Sequence, residues 1–242
     1  MIFSRIIYIA VLIGMVTGLI LSGMQILSVD PIIFAAETYE VVEVEEGQDH
    51  GPSTWAPDDG IERTAYTILS NMTAGIGFSA ILLALMGQFW RSREKSISWL
   101  QGVFWGLAGF VAIFLAPGIG LPPEIPGVEA APLHNRQLWW VFTILSVSTG
   151  LGILAFAAVK IKAVGLLFLA IPYLVGAPHM AGPEFSHPDP EAVAALTQLH
   201  QQFILTSGIS NLIFWLILGV ACGFAYNRWL RKVSTTGEYA SA

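Results

Sequence analysis

Six long apolar runs constrain this chain more than any other feature of its sequence, because an α-helix of roughly 20 apolar residues is long enough to cross a bilayer. We predict membrane spans at 6–29, 64–90, 96–117, 137–159, 163–176 and 201–227. The fifth run is short unless Lys160 and Lys162 reach back to the interface, so five spans are the alternative. The predicted fold is all-α, a polytopic helix bundle in a single membrane domain over 1–242.

Composition excludes several other classes of protein. Apolar residues make up 55% of the chain and charged residues 12%, which is unlike a soluble domain. A net charge of −6 without a basic stripe argues against a nucleic-acid partner. The single cysteine, Cys222, lies inside an apolar run, so we expect a buried core residue and no disulfide. The sequence has no phosphate-binding loop motif for ATP hydrolysis, and we predict that the chain is not an enzyme.

Charged residues divide between the two ends of the predicted spans. Nine of the eleven Lys and Arg residues fall on one side, whereas fifteen of the seventeen acids and all five histidines fall on the other. Because cytoplasmic loops carry the excess of Lys and Arg, we predict an inner (plasma) membrane protein with both termini cytoplasmic. The outer loops are then about 30–63, 118–136 and 177–200. Arg63 and Arg136 are the exceptions to the rule. We interpret the first run as an uncleaved anchor, with cleavage at Ala35 or Ala36 as the alternative.

A weak internal repeat follows this topology. Similar tetrapeptides begin the second, fourth and sixth spans, at 67–70, 143–146 and 203–206. They favour three repeated hairpins, although short apolar matches also recur by chance. Pairs of glycines four residues apart predict close helix packing. These pairs are Gly14 and Gly18, Gly102 and Gly106, and Gly219 and Gly223. The spacing does not tell whether the packed helix belongs to this chain or to a partner.

The first outer loop is strongly acidic. It carries His50 among nine acidic residues between Glu37 and Glu62. Carboxylates and imidazole together suit divalent transition metals, and a negative surface concentrates cations near it. A solvated acidic loop without a specific ligand is the alternative.

The second outer loop is rigid and mostly apolar. Residues 117–127 contain four prolines and three glycines, which exclude a regular helix, and Glu124 is the acid among them. Irregular backbone near the bilayer has to be covered by protein or by a wet cavity, so an acid in it is a functional candidate. The alternative is an interfacial turn that leaves Glu124 in water. His134 follows at the outer end of the fourth span.

The third outer loop concentrates metal-ligating residue types. Within 22 residues it supplies His179, Met180, Glu184, His187, Asp189, Glu191 and His200. Imidazoles with carboxylates or a thioether would accept cobalt, nickel, zinc or copper, but the spacing fits no tight metal motif. Taken singly, each histidine fits a surface position. His179 and His200 lie at the ends of adjacent spans, so we expect them to face one another across the mouth of this hairpin.

Inside the spans the sequence offers hydroxyls and amides rather than charges. The outer halves of the second, fourth and sixth spans carry Ser70, Asn71, Thr73, Ser146, Ser148, Thr149, Thr206, Ser207, Ser210 and Asn211. Ion-coupled carriers commonly use ionisable residues in the membrane, so a passive or partner-dependent path is the simpler expectation. Hydrogen bonds between helices are the alternative role for these side chains.

Three segments of the chain resemble the CbtA family of predicted cobalt transporter subunits. They are the short amino-terminal anchor, residues 121–127 leading into 136–140, and residues 172–179. The resemblance runs over most of the chain. It implies cobalt uptake linked to cobalamin supply, with a small single-span partner, CbtB, that carries a histidine-rich end. It does not supply a set of metal ligands.

The leading hypothesis is therefore a transport subunit without a permanently bound cofactor, whose outer face captures Co²⁺ or another divalent transition metal. The predicted ligands are His134, His179, His200 and Glu124, with His50, Met180, Glu184 and His187 as weaker candidates. A second hypothesis is a haem-binding or quinone-linked electron-transfer subunit with two histidines as axial ligands. A third is an assembly subunit that only holds a partner in the bilayer.

Overall fold

The computed structural model describes residues 2–39, 57–90 and 96–230, and over these ranges the all-α polytopic fold is confirmed. Within these ranges the eight α-helices are α1 (Ile2–Ser28), α2 (Asp30–Glu37), α3 (Ile61–Trp90), α4 (Trp99–Phe110), α5 (Ala116–Gly120), α6 (Leu133–Phe156), α7 (Lys162–Val175) and α8 (Pro190–Ala225). A π-helical turn, Val111–Leu115, makes α4 and α5 continuous, and a second, Tyr226–Leu230, extends α8. The predicted metal-binding candidate His50 lies outside the described residues.

Five helical segments of the described chain are long and apolar enough to cross a membrane. The remaining candidate, α7, has 14 residues, and at 1.5 Å per residue it is only about 21 Å long. It nevertheless returns to the end of the bundle at which α5 finishes and α6 begins. Trp139 Nε1 donates to the carbonyl of Pro172 at 3.2 Å, and the Tyr173 hydroxyl donates to the carbonyl of Ala116 at 2.9 Å. The sequence left five or six spans open, and the structure has five full-length helices and one short return.

Glycine seams hold the main helices together. In the α1–α3 pair, a methyl group at Gly14 would lie 2.2 Å from the backbone nitrogen of Ile76. In the α4–α8 pair, a methyl group at Gly219 would lie 2.4 Å from the carbonyl oxygen of Gly102. The predicted close packing of the glycine pairs is confirmed, and the packed helices belong to this chain.

The helix pairing differs from the three repeated hairpins predicted from the tetrapeptides. The principal pairs are α1 with α3, α4 with α8, and α6 with α7, so only the first is a hairpin of the proposed repeat. The reason lies in the small residues: Gly102 and Gly106 on α4 fit against Gly219 and Trp215 on α8. This contact brings α8 beside α4, and α6 meets the same continuous helix mainly at the π-helical turn and α5.

Two predicted helix ends are corrected. The third span does not end at Pro117, since the helix continues to Gly120. Pro117 lacks a backbone N–H, and its ring crowds the preceding helical turn. The wide π-helical turn Val111–Leu115 accommodates it. The sixth helix begins at Pro190 instead of residue 201, because Asp189 Oδ1 caps it by accepting from the N–H of Glu191 at 2.9 Å. Much of the predicted loop 177–200 is therefore helical.

The core contains two parts that matter for the site. A large cluster among α1, α3, α4 and α8 centres on Leu83, Met86 and Leu218, and buries Cys222 as the sequence predicted. A smaller cluster joins Ala36, Ile125, Phe185 and Leu196 beyond the glycine seams. We call the end of the bundle with this second cluster the outer end, after the orientation predicted from charge, and the cluster itself the outer cap.

Candidate functional site

A cavity of about 230 Å³ lies at the outer end, between the loop that follows α5 and the loop that precedes α8. It brings together residues that are up to 79 positions apart, from Leu121 to His200. Its polar lining consists of Glu124, Glu129, Arg136, His179, Met180, Glu184 and His200. Five of the predicted metal-binding candidates, namely Glu124, His179, Met180, Glu184 and His200, thus share one cavity, which we call the outer cavity.

Backbone pairing fixes the two loops to each other. Val128 and Phe185 form an isolated antiparallel bridge, and the N–H of Glu129 donates to the carbonyl of Glu184 at 2.9 Å. Below this bridge Ile125 and Phe185 pack on Leu196 of α8 in the outer cap. The proline-rich loop therefore rests on α8 instead of folding back along the spans, and it forms one wall of the cavity.

Glu124 is not a free carboxylate. Arg136 Nη2 donates to Glu124 Oε2 at 2.5 Å, and each side chain is 27% exposed. Arg136 lies in the first turn of α6, where the helix macrodipole disfavours a cation, so a carboxylate opposite it is favourable there. The pair joins the rigid loop to α6 on one side of the outer cavity. It also balances the negative charge of Glu124, which the sequence predicted as a metal ligand.

His200 is the buried member of the site. Its ring is about 5% exposed, Nε2 lies 2.8 Å from the carbonyl oxygen of Pro123, and Nδ1 contacts the Glu184 carboxylate. Phe185 packs edge-on against the ring. Because both ring nitrogens point at oxygen acceptors, neither has a lone pair directed at a metal in this conformation. His200 joins both loops to α8.

His179 and Met180 line the same cavity from its exposed side. His134, by contrast, is exposed on the first turn of α6 and is not a lining residue. His187 is engaged in its own loop, where Nδ1 accepts from the N–H of Asp189 at 3.0 Å. The prediction that His179 and His200 face a common space agrees with their placement, whereas His134 and His187 stand apart from it.

A finished metal centre is not formed in the described part of the chain. No three His, Cys, Asp or Glu side chains within it are arranged to hold one ion. The reason is local, because Glu124 is paired with Arg136 and the Glu184 carboxylate is turned to His200. The donors needed for a divalent metal line one cavity, but Glu124, Glu184 and His200 already have other partners.

Both arginines that broke the charge rule have carboxylate partners. Arg63 donates to Glu37 at 2.5 Å and to Asp59 at 3.1 Å, and it stacks 4.9 Å from the centre of the Phe34 ring. It therefore clamps α2 to the start of α3. Burial raises the pKa of the nearby Asp30 carboxyl, and the charge of Arg63 lowers it by a smaller amount.

Sequence reasoning missed the pairing of Arg136 with Glu124. The available signal was that the two outer arginines were the exceptions to an otherwise consistent charge pattern. A cation retained among acids on that face calls for a carboxylate partner, and Glu124 is 12 residues from Arg136. The sequence alone offered several acids and no means to choose among them.

Three of the polar side chains of the spans donate to backbone carbonyls within their own helices. Thr73 donates to Leu69, Thr149 to Leu145 and Asn211 to Ser207 in their own helices, at 2.7–3.0 Å. Asn71 instead reaches α1, donating to Ser22 and Gln25. The Asn71 bonds are of the interhelical kind that the sequence left as an alternative role. A path lined by these side chains is an expectation that the contacts do not support.

A second, larger space of about 590 Å³ opens between α3, α4 and α6. Its lining is almost wholly apolar, with Ser148, Thr149 and Gln101 as the polar members. Towards the inner end Phe89 and Phe156 stack with their ring centres 3.9 Å apart. This groove lacks the charged side chains that a metal ion needs, so the outer cavity is the better candidate site.

The sequence profile of a protein family described as probable cobalt transporter subunit (CbtA) matches residues 3–227 of this chain. No curated protein and no solved structure matches it.

Proposed function

Because this chain belongs to the CbtA family of probable cobalt transporter subunits, we propose that it captures Co²⁺ in the outer cavity as the first step of uptake. The observation that carries the proposal is the shared lining: three carboxylates, two imidazoles and a thioether from distant parts of the sequence border one cavity. Such a mixed set suits cobalt and its neighbours among the divalent transition metals.

The order of events follows from exposure. His179 and Met180 are exposed and stand at the entrance, so they meet the ion first. Glu124 and Glu184 supply the charge, since carboxylates attract and bind a divalent cation more strongly than neutral groups do. His200 can join only after its bonds to Pro123 and Glu184 rearrange. Capture thus assembles a site in which Glu124, Glu184 and His200 exchange their present partners for the ion.

The electron-transfer alternative needs two imidazoles that face each other with a free nitrogen on each. His200 has both nitrogens directed at oxygen atoms. His134 is exposed on α6, whereas His179 lies in the loop after α7. These placements favour metal capture over axial haem ligation. The assembly hypothesis relied on free glycine seams, and the seams at Gly14 and Gly219 are packed within this chain.

The wider setting of the proposal comes from the family. A small single-span CbtB-type partner with a histidine-rich end would deliver or receive the ion, and uptake would serve cobalamin supply. The protein would lie in the inner membrane with both termini cytoplasmic, which is the orientation that the Lys and Arg distribution favours. The bilayer, the partner and the transported ion are then its expected associates, with no permanently bound cofactor.

The test is ⁵⁷Co accumulation in a cobalt-limited host that expresses this chain with its small partner. We expect the double variant E124Q/H179A to lose most accumulation at equal membrane abundance. The matched control is H134A/H187A, which removes two outer histidines that do not line the cavity. Full accumulation in E124Q/H179A would contradict the proposal, and an equal loss in the control would move the capture site away from the cavity.

A further inference from the structure

We propose that Arg136 is the built-in counter-cation of the outer cavity, a tethered guanidinium that holds Glu124 until a divalent metal ion displaces it. This inference rests on the proposed capture function and adds a residue that sets the selectivity of the site. It differs from the simple view of Arg136 as a structural ion-pair partner, because it requires the pair to break during each capture event.

The geometry makes displacement feasible. Arg136 and Glu124 both line the outer cavity, and their contact at 2.5 Å is at its wall. Each side chain keeps 27% of its surface exposed, so the guanidinium can turn towards water without crossing a packed core. The backbone around Glu124 is held by the packing of Ile125 in the outer cap and by the bridge between Val128 and Phe185. The carboxylate therefore stays in place when the arginine leaves.

Comparison with Arg63 shows what a permanent pair looks like in the same protein. Arg63 is held by the two carboxylates of Glu37 and Asp59 and by the ring of Phe34. Arg136 has Glu124 as its ion-pair partner among the described residues, and the first turn of α6 disfavours its charge. Arg63 is thus held by three side chains, whereas Arg136 has one ion-pair partner among the described residues.

Electrostatics predicts which ions can replace the guanidinium. A divalent ion at a similar distance interacts with the carboxylate about twice as strongly as a singly charged group. A monovalent ion has the same charge as Arg136 but offers no directed N–H bonds and has to give up its own water. The charge-assisted contact of Arg136 therefore excludes sodium and potassium from Glu124, and admits an ion that brings a second charge and binds further donors such as His179.

The test is Co²⁺ binding by the purified full chain in detergent, measured by isothermal titration calorimetry in choline chloride and in sodium chloride. R136M removes the charge and keeps much of the side-chain length, and R136K keeps the charge with a different donor geometry. We expect R136M to bind Co²⁺ up to about fivefold more tightly than wild type, because no internal cation has to be displaced. Sodium should weaken binding to R136M but not to wild type. R136K should stay closer to wild type than R136M does.

Three controls separate the possible outcomes. E124Q should lose tight binding, and R63M should keep the wild-type affinity although its thermal stability falls. If wild type binds no Co²⁺, the capture function itself is wrong. If wild type binds and E124Q does not, but R136M binds equally or more weakly, capture stands and Arg136 is only structural. Equal tightening in R136K and R136M would also overturn the proposal, because it would show that charge is not the cause.

Discussion

Nε2 of His200 lies 2.8 Å from the carbonyl oxygen of Pro123, across 77 positions of sequence. Pro123 belongs to a segment that cannot form a helix, and its carbonyl needs a partner outside its own loop. The buried ring supplies that partner from α8 and, with its other nitrogen, contacts Glu184. One side chain thereby joins both walls of the outer cavity to the helix beneath them.

The first prediction concerns this junction. H200A removes the partner of a partly buried carbonyl and a buried side chain, so we expect the protein to lose about 1–3 kcal/mol of unfolding free energy. H200Q should lose less, since an amide can still donate to Pro123. The measurement is thermal unfolding in detergent, followed by intrinsic tryptophan fluorescence. H134A is the control, because an exposed histidine should change stability by no more than about 0.5 kcal/mol. Equal effects of H200A and H134A would contradict the junction.

The second prediction concerns the glycine seam between α4 and α8. A methyl group at Gly106 would lie 2.2 Å from the carbonyl oxygen of Trp215, so G106A forces two backbones apart. We expect it to cost about 1–3 kcal/mol, as overpacking does elsewhere. A methyl group at Gly152 on α6 would have open space around it, with no neighbour within 4 Å among the described residues, and G152A should be neutral or slightly stabilising. Thermal unfolding of the two variants side by side checks the difference.

The third prediction is a pH dependence at Asp30. Burial raises the pKa of this carboxyl, the charge of Arg63 opposing it, so the folded state holds the proton more tightly than the unfolded state. Stability contributed by this group is therefore lost as pH rises from the unfolded pKa through the folded pKa. D30N should have a higher melting temperature than wild type above that window, with a smaller difference below it. A difference in melting temperature between D30N and wild type that does not change with pH would contradict this prediction.

The fourth prediction tests the orientation. Cys222 is fully buried, so wild type should remain unlabelled by a membrane-impermeant maleimide on intact cells. In a C222A background, S186C lies in the outer loop before α8 and A158C lies between α6 and α7, and both positions are exposed. We expect labelling of S186C alone in intact cells and of both after permeabilisation. Labelling of A158C alone in intact cells would show that the orientation is the opposite of the one predicted.

The sequence was sufficient to identify the long helices, because apolar length is a local property that a bilayer makes compulsory. It also placed Glu124, His179 and His200 on one predicted face, and the three residues line one cavity, while their role as metal ligands stays a prediction. It misplaced the start of α8, although Asp189 and Pro190 form a recognisable helix start. That signal was overlooked in a loop chosen for its histidines.

The remaining errors come from pairing, which no local pattern determines. The partner of Glu124 depends on how a rigid loop meets the first turn of α6, and the partner of Val128 is Phe185 in a distant loop. Similarly, the tetrapeptides suggested hairpins, but backbone contacts between small residues placed α8 against α4. Contacts between elements distant in the chain depend on how their surfaces pack, and a single sequence does not show which surfaces meet.

The Glu124–Arg136 pair also has a mechanical meaning. Glu124 belongs to the loop anchored on α8, whereas Arg136 stands on α6, whose main neighbour is the short return helix α7. An ion that displaces Arg136 from Glu124 would remove one contact between the helices packed through glycine, α4 and α8, and the α6–α7 pair. Binding of the ion at the outer end would then remove one contact between two parts of the bundle. The stacked rings of Phe89 and Phe156 would still join α3 to α6 at the opposite end.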